Sequence, residues 1–437
     1  MIINFSVENF ASFRDCQTLS FEATGDKHLE DYYVYRVGKY RILKMALIYG
    51  ANASGKTNLL VALQFLRHMV LKPKVSKDEN LEYEPFLFDT DFASRPSVLR
   101  IEFIQDNIKY EYEVKFNRTA VLYEGLWYAI SKRAKVFERH TDIKNETVSI
   151  DFGSKIRIRK NEKEFLENST LWNDTVMGGF MKSSVAAWIS GTNINPLLSV
   201  KNWFEDVLMN VVIDESNLFY YVTDALKKGK IERKEFIELF KHADFHISDI
   251  AIEEKEVSLS DKEKELLKLL NELNPESKLN QIDTNEIKKI NVKTIYNIKD
   301  KKFTLPFELE SDGTQRFYGL IGLLSLVMHG SKVLPVDELE ASLHPDLFNF
   351  VVLTFLKNAE KSQLVATTHQ REILANRHIM RDDAFWIADK GNEWAATELY
   401  SFADFGTKVI RKDTNRLNVY KSGKLGGIPD VWSFTLE

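Results

Sequence analysis

Between Gly50 and Thr57 the chain reads Gly-Ala-Asn-Ala-Ser-Gly-Lys-Thr, a spacing whose residue types suit a polyphosphate. Glycine at both ends lets backbone N–H groups curl around phosphate oxygens. A helix starting at the loop turns its free N–H groups and the positive end of its dipole toward the same anion. Lys56 can then reach the β- and γ-phosphates, and the Thr57 hydroxyl can ligate Mg²⁺. Ser54 lies within the loop, and Asn58 follows it on the first helical turn. The bland alternative is a glycine-bearing turn between a strand and a helix.

A triphosphate held with Mg²⁺ needs an acid on a neighbouring strand. The stretch "VLPVDELEASLHPDL" supplies Asp337 at the end of an apolar run, with Glu338 beside it. Asp337 would support Mg²⁺ and its waters, and Glu338 would polarise the attacking water. Pro335 lies in the same run and cannot donate to a sheet ladder, which is unexpected for a central strand. In "LVATTHQREIL", His369 follows the apolar run Leu364–Ala366, where its imidazole can hydrogen-bond a γ-phosphate. Taken singly, these are a solvated strand end and a structural histidine. Their order after the loop favours the nucleotide.

These groups act together only if strands and helices carry them to one place. Met45–Tyr49 is a short continuous apolar run, which reads as a strand buried on both faces. After the loop, Leu59, Leu63, Leu66 and Val70 fall on one helical face, and Pro73 ends that helix. "MIINFSVENF" and "QTLSFEA" alternate as strands, and "VLRIEFI" and "KYEYEVKF" flank the turn signal Asp106-Asn107. From about 160 to 290 the chain turns helical and charged, including a short amphipathic helix at Asp261–Leu273. From Phe303 onward strands and helices alternate again, which predicts a largely parallel sheet. The expected division is 1–155 and 296–437 as two lobes of one head, with 156–295 as a mostly helical insert.

The 437 residues suffice for two or three domains, or for one domain with a large insert. Apolar residues make up 44% and charged residues 28%, an ordinary globular balance. The net charge of -5 argues against a wholesale nucleic-acid binder. The single cysteine, Cys16, excludes an internal disulfide framework and fits a reducing cytosol. No run approaches the roughly 20 apolar residues of a membrane span, and the acidic start lacks the basic region of a secretory signal. A cytoplasmic protein is expected.

In this order the motifs resemble the ATPase heads of the ABC/SMC superfamily. The likeness is more specific to the bacterial AAA-type ATPases of the RloA/AbiL-like group, with PARIS AriA and the ATPase half of OLD nucleases as relatives. It rests on "NFASF", "GANASGKTNLL", "FELESDGTQRFYGL", "VDELEASLHPDL", "LVATTHQREIL", "RKDTN" and "YKSGKLGGIPD". The resemblance implies an α/β fold: an ABC/SMC-type head with a mixed sheet and an N-terminal antiparallel β part, interrupted by a mostly helical insert. It implies ATP and Mg²⁺ as ligands, hydrolysis to ADP and phosphate, and a homodimer or higher homo-oligomer with nucleotide sandwiched between heads. "SDGTQR" occupies the signature position, so Ser311 and Gly313 would meet the γ-phosphate of the partner's ATP. Gln315 and Arg316 depart from the usual form. Ser342–His344 takes the place of the loop that crosses the dimer interface. Asn52 falls where SMC-like loops carry Asn, and Ala53 stands where many have a third Gly.

Three functions remain in competition. The first is a regulatory ATPase of an anti-phage, abortive-infection system that controls a separate effector protein. The second is a DNA-maintenance ATPase, which would need a long coiled coil or a DNA channel. The third is a slowly hydrolysing, nucleotide-bound scaffold. Lys155, Arg157 and Arg159 in "KIRIRK" would share one face of a strand, either as a phosphate contact or as a charged edge. Lys227–Lys234 reads as a solvated turn and helix start. Arg14 is either a surface arginine or a phosphate contact. Asp382-Asp383 raises a metal-dependent nuclease, for which too little chain follows His369.

Overall fold

The computed structural model describes residues 1–182, 195–213, 216–243, 245–258, 286–391, 393–405 and 414–429. The chain forms two compact units. One comprises Met1–Ile213, Val327–Ala341 and Phe348–Glu437; the other comprises Asp214–Leu326 and Ser342–Leu347. Among the described residues no helix is long and apolar enough to cross a membrane.

In the first unit, strands β1 (Ile2–Glu8), β2 (Gln17–Ser20), β3 (Val34–Val37), β4 (Tyr40–Leu43), β5 (Met45–Tyr49), β6 (Ser97–Gln105), β7 (Ile108–Phe116), β8 (Val121–Ala129), β9 (Arg133–Asp142) and β10 (Thr147–Phe152) follow one another. Seven of them make an antiparallel sheet in the order β10-β9-β8-β7-β6-β1-β2. Asp106 and Asn107 close the β6–β7 hairpin with φ of 52° and 61°, the left-handed pair that a two-residue hairpin turn requires. Alternation sends Leu99, Ile101 and Phe103 inward. Phe103 stacks on the fully buried Trp203 with ring centroids 4.0 Å apart.

Lys155–Arg159, expected as a basic strand face, is not a strand. β10 stops at Phe152. The N–H of Ile156 donates to Gly153 O at 2.9 Å, and the Ile156 side chain turns inward at 9% exposure. That turn takes the chain out of the ladder, so Lys155, Arg157 and Arg159 stay exposed around the buried Ile156 but on no strand.

The second unit contains helices Ser216–Lys227 and Arg233–His242 and the strands β11 (Ile247–Ser258), β12 (Glu286–Ile298) and β13 (Lys301–Pro306), paired antiparallel in that order. The stretch 156–295 thus carries the expected helices and also the β11–β12 hairpin. Asp261–Leu273 lies outside the described residues. Lys227–Lys234 is a helix end, a turn and a helix start, as its composition predicts. An aromatic core joins the helices to the start of the helix Asp312–Met328. Phe219 stacks on Phe307 at 4.9 Å, and Phe236 and Phe307 both pack on Tyr318. The Tyr318 hydroxyl pairs with Thr223 Oγ1 at 2.9 Å.

Back in the first unit, β14 (Val333–Val336), β15 (Gln363–Thr367), β16 (Phe385–Lys390) and β17 (Thr397–Ser401) add to β5 in the order β14-β15-β5-β16-β17. All pairings are parallel except β16–β17. Every residue of β5, β14 and β15 is buried, as strands covered on both faces must be. The expected mixed sheet with an antiparallel N-terminal β part is therefore present.

Pro335 finds its explanation in strand order, because β14 is the edge of this sheet. Among the described residues, what lies outside it is the irregular segment Leu208–Val212, which donates to Val333 O and Pro335 O at 3.0 Å each. The missing N–H faces that segment, where no ladder bond is needed. The two sheets are clipped together by Gln363, fully buried, whose side-chain amide bonds both N–H and C=O of Ile2 and also Leu43 O.

Candidate nucleotide site

The carboxyl ends of β5, β14 and β15 lie side by side and carry Gly50, Asp337 and His369. Open parallel sheets bind ligands at such ends. After β5 the chain turns through Gly50–Gly55 and enters the helix Lys56–Leu71. Neither glycine accepts a side chain. A Cβ on Gly50 would stand 2.3 Å from Ala388 O, and one on Gly55 would stand 2.0 Å from Thr397 Oγ1. Gly55 also holds φ at 99° and Ala53 holds φ at 61°. The backbone is thereby curled, and the Ser54 N–H closes the turn on Ala51 O at 3.2 Å.

The loop is braced from outside. Asn58 donates from Nδ2 to Ser12 Oγ at 2.8 Å, and Thr397 Oγ1 donates to Ser54 O at 2.8 Å. Thr397 also bonds Ser12 through backbone and side chain. Ser12 is the serine of "NFASF", so that opening turn serves the loop. Ser54 is buried, and its Oγ has no hydrogen-bond partner among the described residues. Asn52 and Ala53 are exposed on the outer turn.

Lys56 is 6% exposed and donates from Nζ to Gly50 O at 2.9 Å and Ala51 O at 3.0 Å. Burial lowers its pKa, while Asp337, Glu338 and Glu340 pull it back up. Thr57 Oγ1 donates to Asp337 Oδ2 at 2.8 Å. Asp337 is 7% exposed, and its other oxygen accepts the Thr367 hydroxyl. Thr367 Oγ1 in turn accepts the N–H of Glu338 at 2.8 Å, and Thr367 O accepts the N–H of Leu339 at 3.1 Å. Glu338 is exposed and held at φ 48°, a strained conformation for a residue with a Cβ. His369 is also exposed. Its pKa is lowered, first by the packing around it and then by Lys56; Glu340, Glu338 and Asp337 oppose the shift.

Lys56, Thr57, Asp337, Glu338 and His369 are thus neighbours in the first unit. Ser311 and Gly313 belong to the second. There Ser311 is exposed and caps the helix Asp312–Met328, accepting the N–H of Thr314 at 3.2 Å. Gln315 Nε2 donates back to Glu310 O at 2.9 Å, and Arg316 is buried. Ser342, at φ 57°, places its carbonyl 2.9 Å from where a Cβ on Gly313 would be.

A cavity of about 390 Å³ opens beside the loop, lined by Ser12, Ala53–Asn58, Leu87, Phe88 and Lys390 among others. The residues fit a nucleotide with Mg²⁺. The glycine cradle and the orphaned Ser54 hydroxyl suit phosphate oxygens, and Thr57 with Asp337 forms a hard oxygen set of the kind Mg²⁺ prefers.

Other candidates resolve as structural. Arg14 is ion-paired with Asp89 at 2.8 Å and sandwiched between the rings of Phe92 and Trp394. Asp383 is held by the buried Arg381 at 2.7 Å, and Asp382 is held by Arg416 at 2.8 Å. Among the described residues no acid, histidine and cysteine group is placed to hold a metal on its own. Sequence reasoning misses Ser12, Thr397, Thr367 and Glu340. Only the density of acids in Asp-Glu-Leu-Glu signals the last.

A family profile described as "AAA domain, putative AbiEii toxin, Type IV TA system" matches residues 45–173 and 194–375. No curated protein matches the chain. Among solved structures the chain is similar to an SMC head bound to the C-winged helix domain of ScpA, at 11% identity and TM-score 0.44, covering 92% of this chain and 97% of that one. The SMC head domain from Thermotoga maritima gives 12% identity, TM-score 0.38 and coverage of 92% and 98%. A Smc head with an extended coiled coil, bound to the C-terminal domain of ScpA derived from Pyrococcus furiosus, gives 12%, 0.40, and 92% and 96%.

Proposed function

The chain belongs to the AAA-domain family so described, and on that premise we propose that it binds ATP with Mg²⁺ and hydrolyses it to ADP and phosphate. The observation that carries this reading is the Asp337 carboxylate, gripped on one side by Thr57 of the loop helix and on the other by Thr367 of β15. Lys56 would leave the loop carbonyls for the β- and γ-phosphates, and Gly50–Asn58 would wrap them. Asp337 and Thr57 would hold Mg²⁺, which screens the phosphate charge. Glu338 would take a proton from the attacking water, and His369 would hydrogen-bond the γ-phosphate.

Ser311 and Gly313 would complete the site of a second copy, giving an ATP-dependent homodimer or higher homo-oligomer. The exposure of Ser311 at a helix start supports this role. The output would be assembly and release of a separate effector, in a cytoplasmic anti-phage system. The family's description, which names a toxin of a type IV TA system, favours a toxin–antitoxin setting over DNA maintenance. Equilibrium binding of ATP with and without Mg²⁺, together with phosphate release, tests the core of the reading. Lys56→Ala should abolish both signals. Equal binding by the variant and the wild type would sink the assignment.

A further inference from the structure

The site holds an acid that the phosphate loop, Asp337 and Glu338 do not account for. Glu340 stands two residues past Glu338 on the turn after β14. Its Oε1 accepts the backbone N–H of His369, and its Oε2 is buried without a hydrogen-bond partner among the described residues. Charge interactions place the same carboxylate near Lys56 and Tyr49.

Among the described residues, the other hydrogen bonds that fix this peptide lie at its flanks. Thr368 N–H donates to Ile48 O at 3.0 Å, Gln370 N–H donates to Thr368 Oγ1 at 3.0 Å, and Tyr49 Oη donates to Gln370 O at 3.2 Å. β15 ends at Thr367, and among the described residues no backbone carbonyl accepts the His369 amide. A carboxylate on an N–H makes a charge-assisted bond, roughly twice as strong as a neutral one.

We propose that Glu340 is a positioning residue: its carboxylate holds the His369 peptide so that the imidazole is presented to the phosphate side, tying the turn that bears Glu338 to the strand end that bears His369. This rests on the ATPase reading above.

Two substitutions separate position from charge. Glu340→Ala removes the acceptor, and Glu340→Gln keeps an acceptor oxygen. Misplacing a group by about 1 Å can cost on the order of 100-fold in rate, so E340A should lose about 10- to 100-fold in kcat with KM for ATP within about twofold. E340Q should stay within about threefold of wild-type kcat, because its bond survives. The contact itself is read without nucleotide, by amide hydrogen exchange on ¹⁵N-histidine-labelled protein, with His369 assigned from the spectrum of His369→Gln. The amide should be protected in wild type and E340Q and should exchange at least about tenfold faster in E340A.

An unprotected His369 amide in the wild type overturns the proposal even if E340A does not fold. So does E340A that turns over like wild type, or a loss of kcat matched in E340Q. Protection lost in E340A, in a protein that never releases phosphate, would instead overturn the ATPase reading and leave the contact standing.

Discussion

The hydroxyl of Thr57 donates to Asp337 Oδ2 at 2.8 Å, joining the first turn of the loop helix to the end of β14. Both oxygens of Asp337 are engaged by threonines, so its orientation is set before any ion arrives. Thr57→Ala and Asp337→Asn should each weaken Mg²⁺-supported ATP affinity by at least about tenfold. Titrations with and without Mg²⁺ check this: the gain that Mg²⁺ gives the wild type should vanish in both variants.

Glu338→Gln should bind ATP but lower turnover by about 10²- to 10⁴-fold, the range lost with a general base. The variant should then accumulate as a dimer or larger assembly with ATP. Sedimentation showing one unchanged monomer with and without ATP would remove the sandwich.

His369 predicts an acid limb. Its lowered pKa favours the neutral ring in the folded protein. The stability it contributes is therefore full above the ordinary value of 6.5 and is lost as pH falls through the lower folded value. Turnover should hold at pH 7 and through the ordinary value of 6.5, and fall only as pH approaches the lower folded value. His369→Gln should flatten that limb; an unchanged limb would assign it to another group.

Gly55→Ala meets both a left-handed φ and the Thr397 hydroxyl. It should cost more than the roughly 1–2 kcal/mol of left-handed strain alone. Gly38→Ala isolates that strain, since Gly38 holds φ at 54° with nothing within 4 Å of an added Cβ. Calorimetry should show a small fall in Tm for Gly38→Ala and a larger one for Gly55→Ala.

Met45–Tyr49 is legible as a strand because burial on both faces demands an unbroken apolar run. The loop is legible because phosphate chemistry constrains residue types at fixed spacing. Thr367 and Glu340 are not, because their bonds depend on how the turn after β14 meets the end of β15, and periodicity carries no such register. Pro335 misleads for a related reason: a local pattern shows a strand but not its place in the sheet. The basic run Lys155–Arg159 keeps its alternation, with Ile156 buried between exposed basic residues, but fails as a strand because the turn at Gly153–Ile156 leaves the ladder, which a local pattern does not show.

Glu338, at φ 48°, occupies a conformation that glycine adopts at little cost. On the proposed role of Glu338 as the base, folding and turnover pull this position in opposite directions. A descendant freed from the need to hydrolyse would gain about 1 kcal/mol by exchanging Glu338 for glycine. Glycine at this position in a homologue would accordingly mark a lineage that kept the architecture after abandoning the reaction.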